Sequence, residues 1–255
     1  MVWFKRDLRF TDHAPLYYAQ QEKLPVLFIY CFEPSVMAGA DSDTRHWRFV
    51  YQSLQDMQHK LTGINGSLYI FYNEALNIFT EIEKRYCIKT IFSHEEIGNK
   101  RTYDRDKKVK LFTLQHDIVW KEYQHNAVVR KLKSRKKWDV LWTETMNMPP
   151  LLVDENNWSI VHLQKAFYEL LKGKNLPDEI TTTNKNFQQG GETLAWRYLD
   201  NFLKERYINY SKHISKPALS RKSCSRLSPY LAYGNISMKM VYQYSMQHYK
   251  NSSNK

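Results

Sequence analysis

Residues 24–32 read Leu-Pro-Val-Leu-Phe-Ile-Tyr-Cys-Phe and form the longest apolar run of the chain. From Val26 to Phe32 the run is uninterrupted, which is typical of a strand buried on both faces of a sheet. Parallel sheets covered by helices contain such strands, so this stretch indicates the fold class. A membrane-spanning helix needs about 20 apolar residues, roughly twice the length of this run.

Four further apolar stretches flank this run and alternate with helix-like segments. The predicted strands are Val2–Phe4, Val26–Phe32, Leu68–Tyr72, Thr90–Phe92 and Ile118–Tyr123. Spacings of three and four predict helices at Trp47–Leu61, after the capping segment Asp41–Asp43, at Phe79–Tyr86, and around Val109 and Phe112. Residues 1–125 are therefore predicted to form an α/β domain, with a doubly wound, five-stranded parallel sheet of the Rossmann-like type.

The first predicted strand is followed by Lys-Arg-Asp-Leu-Arg at residues 5–9. Ligands bind beyond the carboxyl ends of the strands in an open parallel sheet, so this loop is where a dinucleotide fingerprint would stand. Neither a GxGxxG fingerprint nor a Walker A motif occurs in the sequence. An ordinary NAD-dependent dehydrogenase is therefore not expected.

Composition restricts the function further. The 255 residues include 38 Lys and Arg against 26 Asp and Glu, a formal net charge of +12, which favours a polyanionic partner, nucleic acid first. Charged residues occupy the start of the chain, where a signal peptide would be apolar, so a cytoplasmic protein is expected. The three cysteines are far apart, which indicates neither a disulfide framework nor a metal site.

The pattern changes after residue 125. Residues 126–189 are interpreted as an interdomain connector; it contains the basic run Arg130–Lys137 and one helix, capped by Ser159 and ending at Gly173. Residues 190–255 begin with Gly-Gly-Glu and show no strand pattern. They predict an incomplete helical domain of about three helices separated by a basic loop. The first helix runs from Leu194 to Tyr207, and the others are capped by Ser228 and Ser237.

Residues 223–228 combine small hydroxyl side chains with a helix start. The hydroxyls of Ser223, Ser225 and Ser228 and free backbone N–H groups are predicted to converge there, which favours a phosphate site, with Arg226 adding positive charge. A plain capped helix on a basic loop is the alternative. From Lys204 to Arg226 the sequence has seven basic residues and one acidic residue, so DNA is expected near this segment.

Three motifs together resemble the DNA photolyase/cryptochrome family: Trp3–Arg9, Gly190-Gly191-Glu192, and Ser225–Leu231 with Gly234. Their order and spacing agree with those of the family, and the resemblance covers essentially the whole chain. The resemblance implies an α/β domain that can hold a light-harvesting antenna chromophore. It also implies that the following all-α domain holds FAD.

The resemblance carries specific residues to the FAD site. The tyrosine upstream of the phosphate cradle corresponds to Tyr210, and the cradle itself corresponds to Cys224, Ser225, Arg226, Leu227 and Ser228. Cys224 stands where the family usually has threonine, and a thiol is the weaker donor. Ile214 occupies the position of a basic residue that contacts DNA, for which Lys212 or Lys216 would substitute. No catalytic residue is assigned, and the loop of Arg6, Asp7 and Arg9 is expected to be structural.

The antenna chromophore stays open. Glu95, Glu96, Arg105 and Asp106 resemble the border of the family's antenna site, although the two glutamates also read as a solvated loop. Thr102 falls near the position of the acidic residue that contacts a folate, so a folate lacks its main contact. A flavin or deazaflavin at the strand ends, or no antenna, is also left open by the sequence.

The function implied is light-driven repair of DNA containing cyclobutane pyrimidine dimers, by a monomer that transfers an electron from reduced FAD to a flipped-out dimer. Repair of (6-4) photoproducts, a cryptochrome-type photoreceptor and a flavin-free nucleotide-binding α/β module are the alternatives. Because family members are longer, the chain is interpreted as a partial one, inactive by itself. The family's electron-relay tryptophans are expected outside it, and its seven tryptophans are interpreted as packing residues.

Overall fold

The five predicted strands form one parallel sheet in the computed structural model, which describes residues 1–253. In chain order the strands are β1 (Val2–Phe4), β2 (Phe28–Cys31), β3 (Leu68–Phe71), β4 (Thr90–His94) and β5 (Val119–Tyr123). Their order in the sheet is β3-β2-β1-β4-β5, and every pair is parallel. The chain thus winds outward from β1 in both directions, and the prediction of a doubly wound α/β sheet is confirmed.

Helices cover both faces of this sheet. They are α1 (Ala14–Gln21), α2 (Pro34–Met37), α3 (Thr44–Thr62), α4 (Ala75–Tyr86) and α5 (Lys100–Gln115). Asp43 caps α3 as predicted, since its carboxylate accepts a 2.8 Å hydrogen bond from the Arg45 N–H. The sequence analysis missed α1, because its eight residues bury only a proline, a leucine and an alanine.

Side chains alternate across the strands and so build two cores. Trp3 of β1 packs on one face with residues of α4 and α5, including Phe79 and Phe112. Val2 and Phe4 point to the opposite face and pack with residues of α1 and α3. Both faces of β1 are therefore apolar and buried, which is why its short sequence has no polar position.

The connector packs back onto the sheet domain. It contains α6 (Trp138–Asn147), α7 (Lys165–Leu171) and α8 (Asp178–Thr181), not the single helix predicted. Ser159 does not cap a helix, because α7 begins only at Lys165; the Ser159 carbonyl instead accepts a hydrogen bond from the Val26 N–H at 2.8 Å, next to a parallel bridge between Val26 and Ile160. The proposed boundaries of the connector, 126 and 189, remain predictions.

The helical region follows Gly190-Gly191 and, of the predicted 190–255, is described to residue 253. It contains α9 (Glu192–Lys204), a 3-10 turn (Arg206–Asn209), α10 (Tyr210–His213), α11 (Pro217–Ser223), α12 (Ser228–Ala232) and α13 (Met238–Ser253). The three predicted helices correspond to α9, α12 and α13, and the described part of the region has no strand.

Three details of the helical region differ from or refine the prediction. The first helix ends at Lys204, so Tyr207 lies in the 3-10 turn, and the predicted basic loop is largely helical. Ser228 is the first residue of α12 and does not cap it; Leu227 holds the cap position. Ser237 does cap α13, because its hydroxyl accepts a 3.1 Å hydrogen bond from the Met240 N–H. A helix long and apolar enough to span a bilayer is not found within residues 1–253.

Candidate functional site

The loop after β1 attaches the sheet domain to the helical region. Arg9 is buried, and its guanidinium donates to the carbonyls of Gly234 at 3.0 Å, Asp12 at 2.9 Å and Thr11 at 3.0 Å. The backbone adds a hydrogen bond from Leu8 N–H to the Tyr233 carbonyl at 3.1 Å. Arg9 thereby acts as a structural residue, as the sequence analysis expected.

Glu192 makes the second connection. Its side chain is 1% exposed and accepts from the Phe10 N–H at 2.8 Å, the Thr11 N–H at 3.1 Å and the Lys60 ammonium at 2.7 Å. A Cβ at the nearby Gly190 would lie 2.0 Å from the Phe49 carbonyl oxygen, so only glycine allows this approach. The three motifs that resemble the family thus converge at the junction between sheet domain and helical region.

A buried acid lies directly behind this junction. One oxygen of Asp7 is 3.0 Å from His13 Nε2 and 2.7 Å from His94 Nδ1, and the other accepts from the Lys5 N–H at 2.6 Å. Burial raises the pKa of Asp7, but its interactions with the two imidazoles lower it more and hold it well below the ordinary value. Burial also lowers the pKa of His13 and of His94, so both rings are neutral near pH 7.

Asp7, His13 and His94 are the kind of residues that bind metal ions, and one ligand atom from each lies within 4.8 Å of the others. The tautomer of His13 argues against such a site. Its Nδ1 accepts a hydrogen bond from the Leu16 N–H at 3.2 Å, so Nε2 carries the proton and has no lone pair for a metal. The cluster is better explained as a buried carboxylate held by two imidazole N–H donors.

His125 makes this region sensitive to acid. Its ring centroid lies 5.1 Å from that of His94, its Nε2 is buried without a partner among the described residues, and burial lowers its pKa to about 4. An unfolded histidine has a pKa of about 6.5, so the unfolded chain binds the proton first as the pH falls. Above about pH 6.5 His125 is neutral in both the folded and the unfolded chain and does not lower the free energy of unfolding. As the pH falls from about 6.5 toward 4, the unfolded chain takes up the proton and the free energy of unfolding decreases.

We expect His125→Gln to reduce the slope of unfolding free energy against pH by about 1.4 kcal/mol per pH unit between pH 6 and 4.5. Urea unfolding at a series of pH values measures that slope. His59→Gln is the control, because His59 is exposed on α3 and should leave the slope unchanged. Equal slopes for the wild type and His125→Gln would contradict this prediction, because they would show that folded His125 takes up its proton over the same pH range as the unfolded chain.

The carboxyl ends of β1, β2 and β4 are closed by an ion-pair network. Arg105 donates to Glu33 at 2.6 Å and to Glu96 at 2.6 Å, and lies 2.8 Å from Asp106. Its guanidinium also lies 4.6 Å from the ring centroid of Trp3. The solvated-loop interpretation is wrong for Glu96, which is 5% exposed, because Arg105 neutralises it in the interior. Glu95 instead pairs with Arg130 at 2.9 Å.

This closure leaves little room for an antenna chromophore. The cavity between Trp3, Arg105 and Tyr30 has a volume of about 80 Å³, whereas sites for cofactor-sized ligands measure roughly 300–1,000 Å³. Thr102 is 4% exposed and its hydroxyl donates to the Asn99 carbonyl. A flavin, deazaflavin or folate antenna at the strand ends stays a prediction, which the size of this cavity does not support.

The residues of the predicted phosphate cradle form a turn between α11 and α12. The Ser223 hydroxyl lies 2.5 Å from His213 Nδ1, so it is engaged inside the protein and does not converge with the others. Ser225 Oγ accepts from the Leu227 N–H at 3.4 Å, Leu227 is buried and Ser228 is exposed. Arg226 has a left-handed backbone with φ of 58°, which makes the turn.

A basic cavity of about 610 Å³ lies beside this turn. Its lining contains five cationic side chains and no carboxylate: Arg197, Arg206, Arg221, Lys222 and Arg226, with Tyr198 and Asn201. Arg206 fixes the turn, because it donates to the carbonyls of Cys224 and Tyr198, each at 2.8 Å. Such a donor set matches phosphate or pyrophosphate. Sequence reasoning identified the basic density from Lys204 to Arg226 but missed Arg197 and Tyr198, which α9 supplies.

Tyr210 lies at the start of α10, where its ring packs edge-on against Phe202 at 5.8 Å and remains 38% exposed. The contact of His213 with Ser223 links α10 to the end of α11, next to the cradle. Ile214 is 54% exposed, and Lys212 and Lys216 are exposed on the same segment. Apolar and basic side chains are thus available together on this surface.

Comparison with known proteins agrees with the fold. Residues 1–139 match the family described as DNA photolyase. Cryptochrome DASH of Synechocystis sp. is 25% identical over 95% of this chain and 53% of its own length. The deoxyribodipyrimidine photo-lyase of Buchnera aphidicola is 25% identical over 94% of the chain and 51% of its own length. The crystal structure of a Synechocystis cryptochrome superposes with a TM-score of 0.76 at 21% identity, covering 98% of this chain and 55% of that one. The chain spans about half the length of the curated relatives it matches.

Proposed function

The chain belongs to the DNA photolyase family, and on that premise we propose that it serves in light-driven repair of cyclobutane pyrimidine dimers by electron transfer from reduced FAD. The observation that carries this proposal is the cavity of five cationic side chains beside the Cys224–Ser228 turn. It supplies the positive charge that a pyrophosphate needs, next to the residues whose sequence resembles the family's cradle.

The residues present fit the phosphate part of FAD. Arg226 belongs to both the turn and the cavity, so its guanidinium would bind the pyrophosphate, while Ser225 and Ser228 would offer hydroxyl donors. The exposed ring of Tyr210 would contact the cofactor. Bound FAD supplies the redox chemistry, and the protein supplies binding, orientation and electrostatics.

A DNA-binding role has support in the same region. Exposed Lys212 and Lys216 flank Ile214 and would neutralise backbone phosphates in its place. Binding of this kind is independent of sequence and weakens as salt is added, because counterions are released from the nucleic acid.

A photoreceptor of the cryptochrome type is the second candidate. It is favoured by Ile214, an exposed apolar residue at the position where the family resemblance places a DNA-contacting basic residue. The flavin-free nucleotide-binding module has no such support, since the strand-end cavity of about 80 Å³ is too small for a nucleotide.

The cradle is tested by titrating the purified protein with FAD and with inorganic pyrophosphate. We expect dissociation constants on the order of millimolar, because a phosphate site open to water contributes only a few kcal/mol. Arg226→Gln should weaken both ligands by about tenfold or more, since it removes a charge-assisted contact. Lys108→Gln, an exposed change on α5, should have no effect. Unaltered binding in Arg226→Gln would place the phosphates elsewhere.

Repair and signalling are separated in cells. Disruption of the gene should slow removal of pyrimidine dimers under blue light after ultraviolet irradiation and leave removal in the dark unchanged. Loss of a light response with normal dimer removal would instead support the photoreceptor.

A further inference from the structure

The connector carries an open apolar groove, called here the α6 groove. Helix α6, the start of α13 and the loop from Asn126 to Arg135 enclose about 740 Å³. Its main apolar lining residues are Val128, Leu132, Trp138, Trp142, Met146 and Met238. Trp138 is 43% exposed, so the packing interpretation is wrong for this tryptophan. An indole left in solvent beside an open groove is available to a ligand.

Two indoles form the aromatic part of the groove. Trp138 and Trp142 are one helical turn apart on α6, with ring centroids separated by 6.5 Å. Tyr242 of α13 packs edge-on against Trp142 at 5.1 Å and fixes that ring. The groove therefore offers one supported ring and one exposed ring, a suitable platform for stacking planar groups.

A strongly basic segment borders these rings. Of the six basic residues in the run Arg130–Lys137, Arg130 is occupied by ion pairs with Glu95 at 2.9 Å and Glu122 at 3.2 Å. The other five are exposed and form no ion pair with any residue described in 1–253: Lys131, Lys133, Arg135, Lys136 and Lys137. Arg135 itself lines the groove. Uncompensated charge of this density favours an occupant with several anionic groups.

We propose that the α6 groove binds single-stranded nucleic acid. Unpaired bases would stack on Trp138 and Trp142, while the five free basic side chains would contact successive phosphates. In a duplex the base faces are covered by neighbouring base pairs. A duplex would therefore contact the basic side chains but could not stack its bases on the two tryptophan rings. The site is separate from the cradle on α11 and α12, and the proposal does not depend on FAD binding or on repair.

Fluorescence anisotropy of a labelled 15-nucleotide oligothymidylate tests the ring contribution. Trp138→Ala should weaken binding about 5- to 100-fold, the range expected for loss of one base stack. Phe187→Ala is the matched control, because Phe187 is 45% exposed beside Arg48 and lies outside the groove. Its affinity should equal that of the wild type.

Salt dependence tests the charges. The triple change of Lys133, Lys136 and Lys137 to Gln should reduce the slope of log K against log salt by about 2, since each single-strand phosphate contact contributes about 0.7. The same change at Lys107, Lys108 and Lys110 on α5, where all three are exposed, is the charge-matched control. Circular dichroism checks that each variant is folded.

Two results would overturn the proposal. One is wild-type affinity in Trp138→Ala. The other is a pair of findings: single-stranded and duplex DNA bind with equal affinity, and the two triple variants have the same salt slope. That pair would assign binding to the basic segment Lys204–Arg226.

Discussion

Arg105→Ala is expected to lower the free energy of unfolding by about 3–5 kcal/mol, the loss typical when one partner of a buried ion pair is removed. The guanidinium faces three carboxylates, of Glu33, Glu96 and Asp106, whose side chains are each 6% exposed or less. Among the residues described in 1–253, the Lys5 ammonium, 3.0 Å from Asp106, is the one other cation that forms an ion pair with these carboxylates. Urea unfolding at pH 7.5 measures the effect.

The control for this change is Arg101→Ala on the same helix. Arg101 is exposed and donates to the Ser35 carbonyl, so its loss should cost less than about 1 kcal/mol. The difference in unfolding free energy between wild type and Arg105→Ala should narrow as the pH falls, because burial raises the pKa of the Glu33 carboxyl, which becomes neutral on protonation and then needs no cation. If Arg105→Ala and Arg101→Ala cost the same, the carboxylates are hydrated and the network is not buried in solution.

Gly234→Ala is expected to cost about 4 kcal/mol or more and to loosen the helical region from the sheet domain. A Cβ at this position would lie 2.2 Å from the Arg6 carbonyl oxygen and 2.6 Å from Asp7 Cα, and both are backbone atoms that cannot rotate away. The φ of +67° adds the cost of a left-handed alanine. The hydrogen bond from Arg9 to the Gly234 carbonyl would be lost as the two segments separate.

Urea unfolding combined with limited proteolysis checks this prediction. The variant should be cleaved between the sheet domain and α13 under conditions where the wild type is resistant, because junction opening exposes the connector. Gly63→Ala is the control: Gly63 ends α3 with an ordinary φ of −61°, and alanine there should change stability by less than about 1 kcal/mol. If Gly234→Ala unfolds with the same free energy as the wild type, the loop after β1 shifts away from the added Cβ at no measurable cost.

Gly234 shows what the family motifs do in this chain. The Lys5–Arg9 loop, the Gly-Gly-Glu segment and Gly234 interact at the junction through Arg9 and Glu192. The contacts are between backbone groups and buried charged side chains, which is why the residues are specific although none of them is assigned to catalysis.

The sequence by itself determined the sheet and its main helices. A continuous apolar run such as Val26–Phe32 can be buried only between two layers, and the spacing of apolar residues in α3 and α4 allows only one buried face. The capping of α13 by Ser237 was also predictable, since a cap contacts residues within one turn. Each of these features depends on neighbours in the chain.

Tertiary structure decided the features that join distant segments. Ser159 pairs with Val26 instead of capping a helix, and the buried Glu33 is paired with Arg105, which reaches it from α5. Trp138 stays exposed because nothing described packs over that end of α6. The free energy of a buried charge or an exposed ring depends on which groups surround it in space. Local sequence patterns carry no information about partners more than 60 residues away, and only the folded arrangement supplies them.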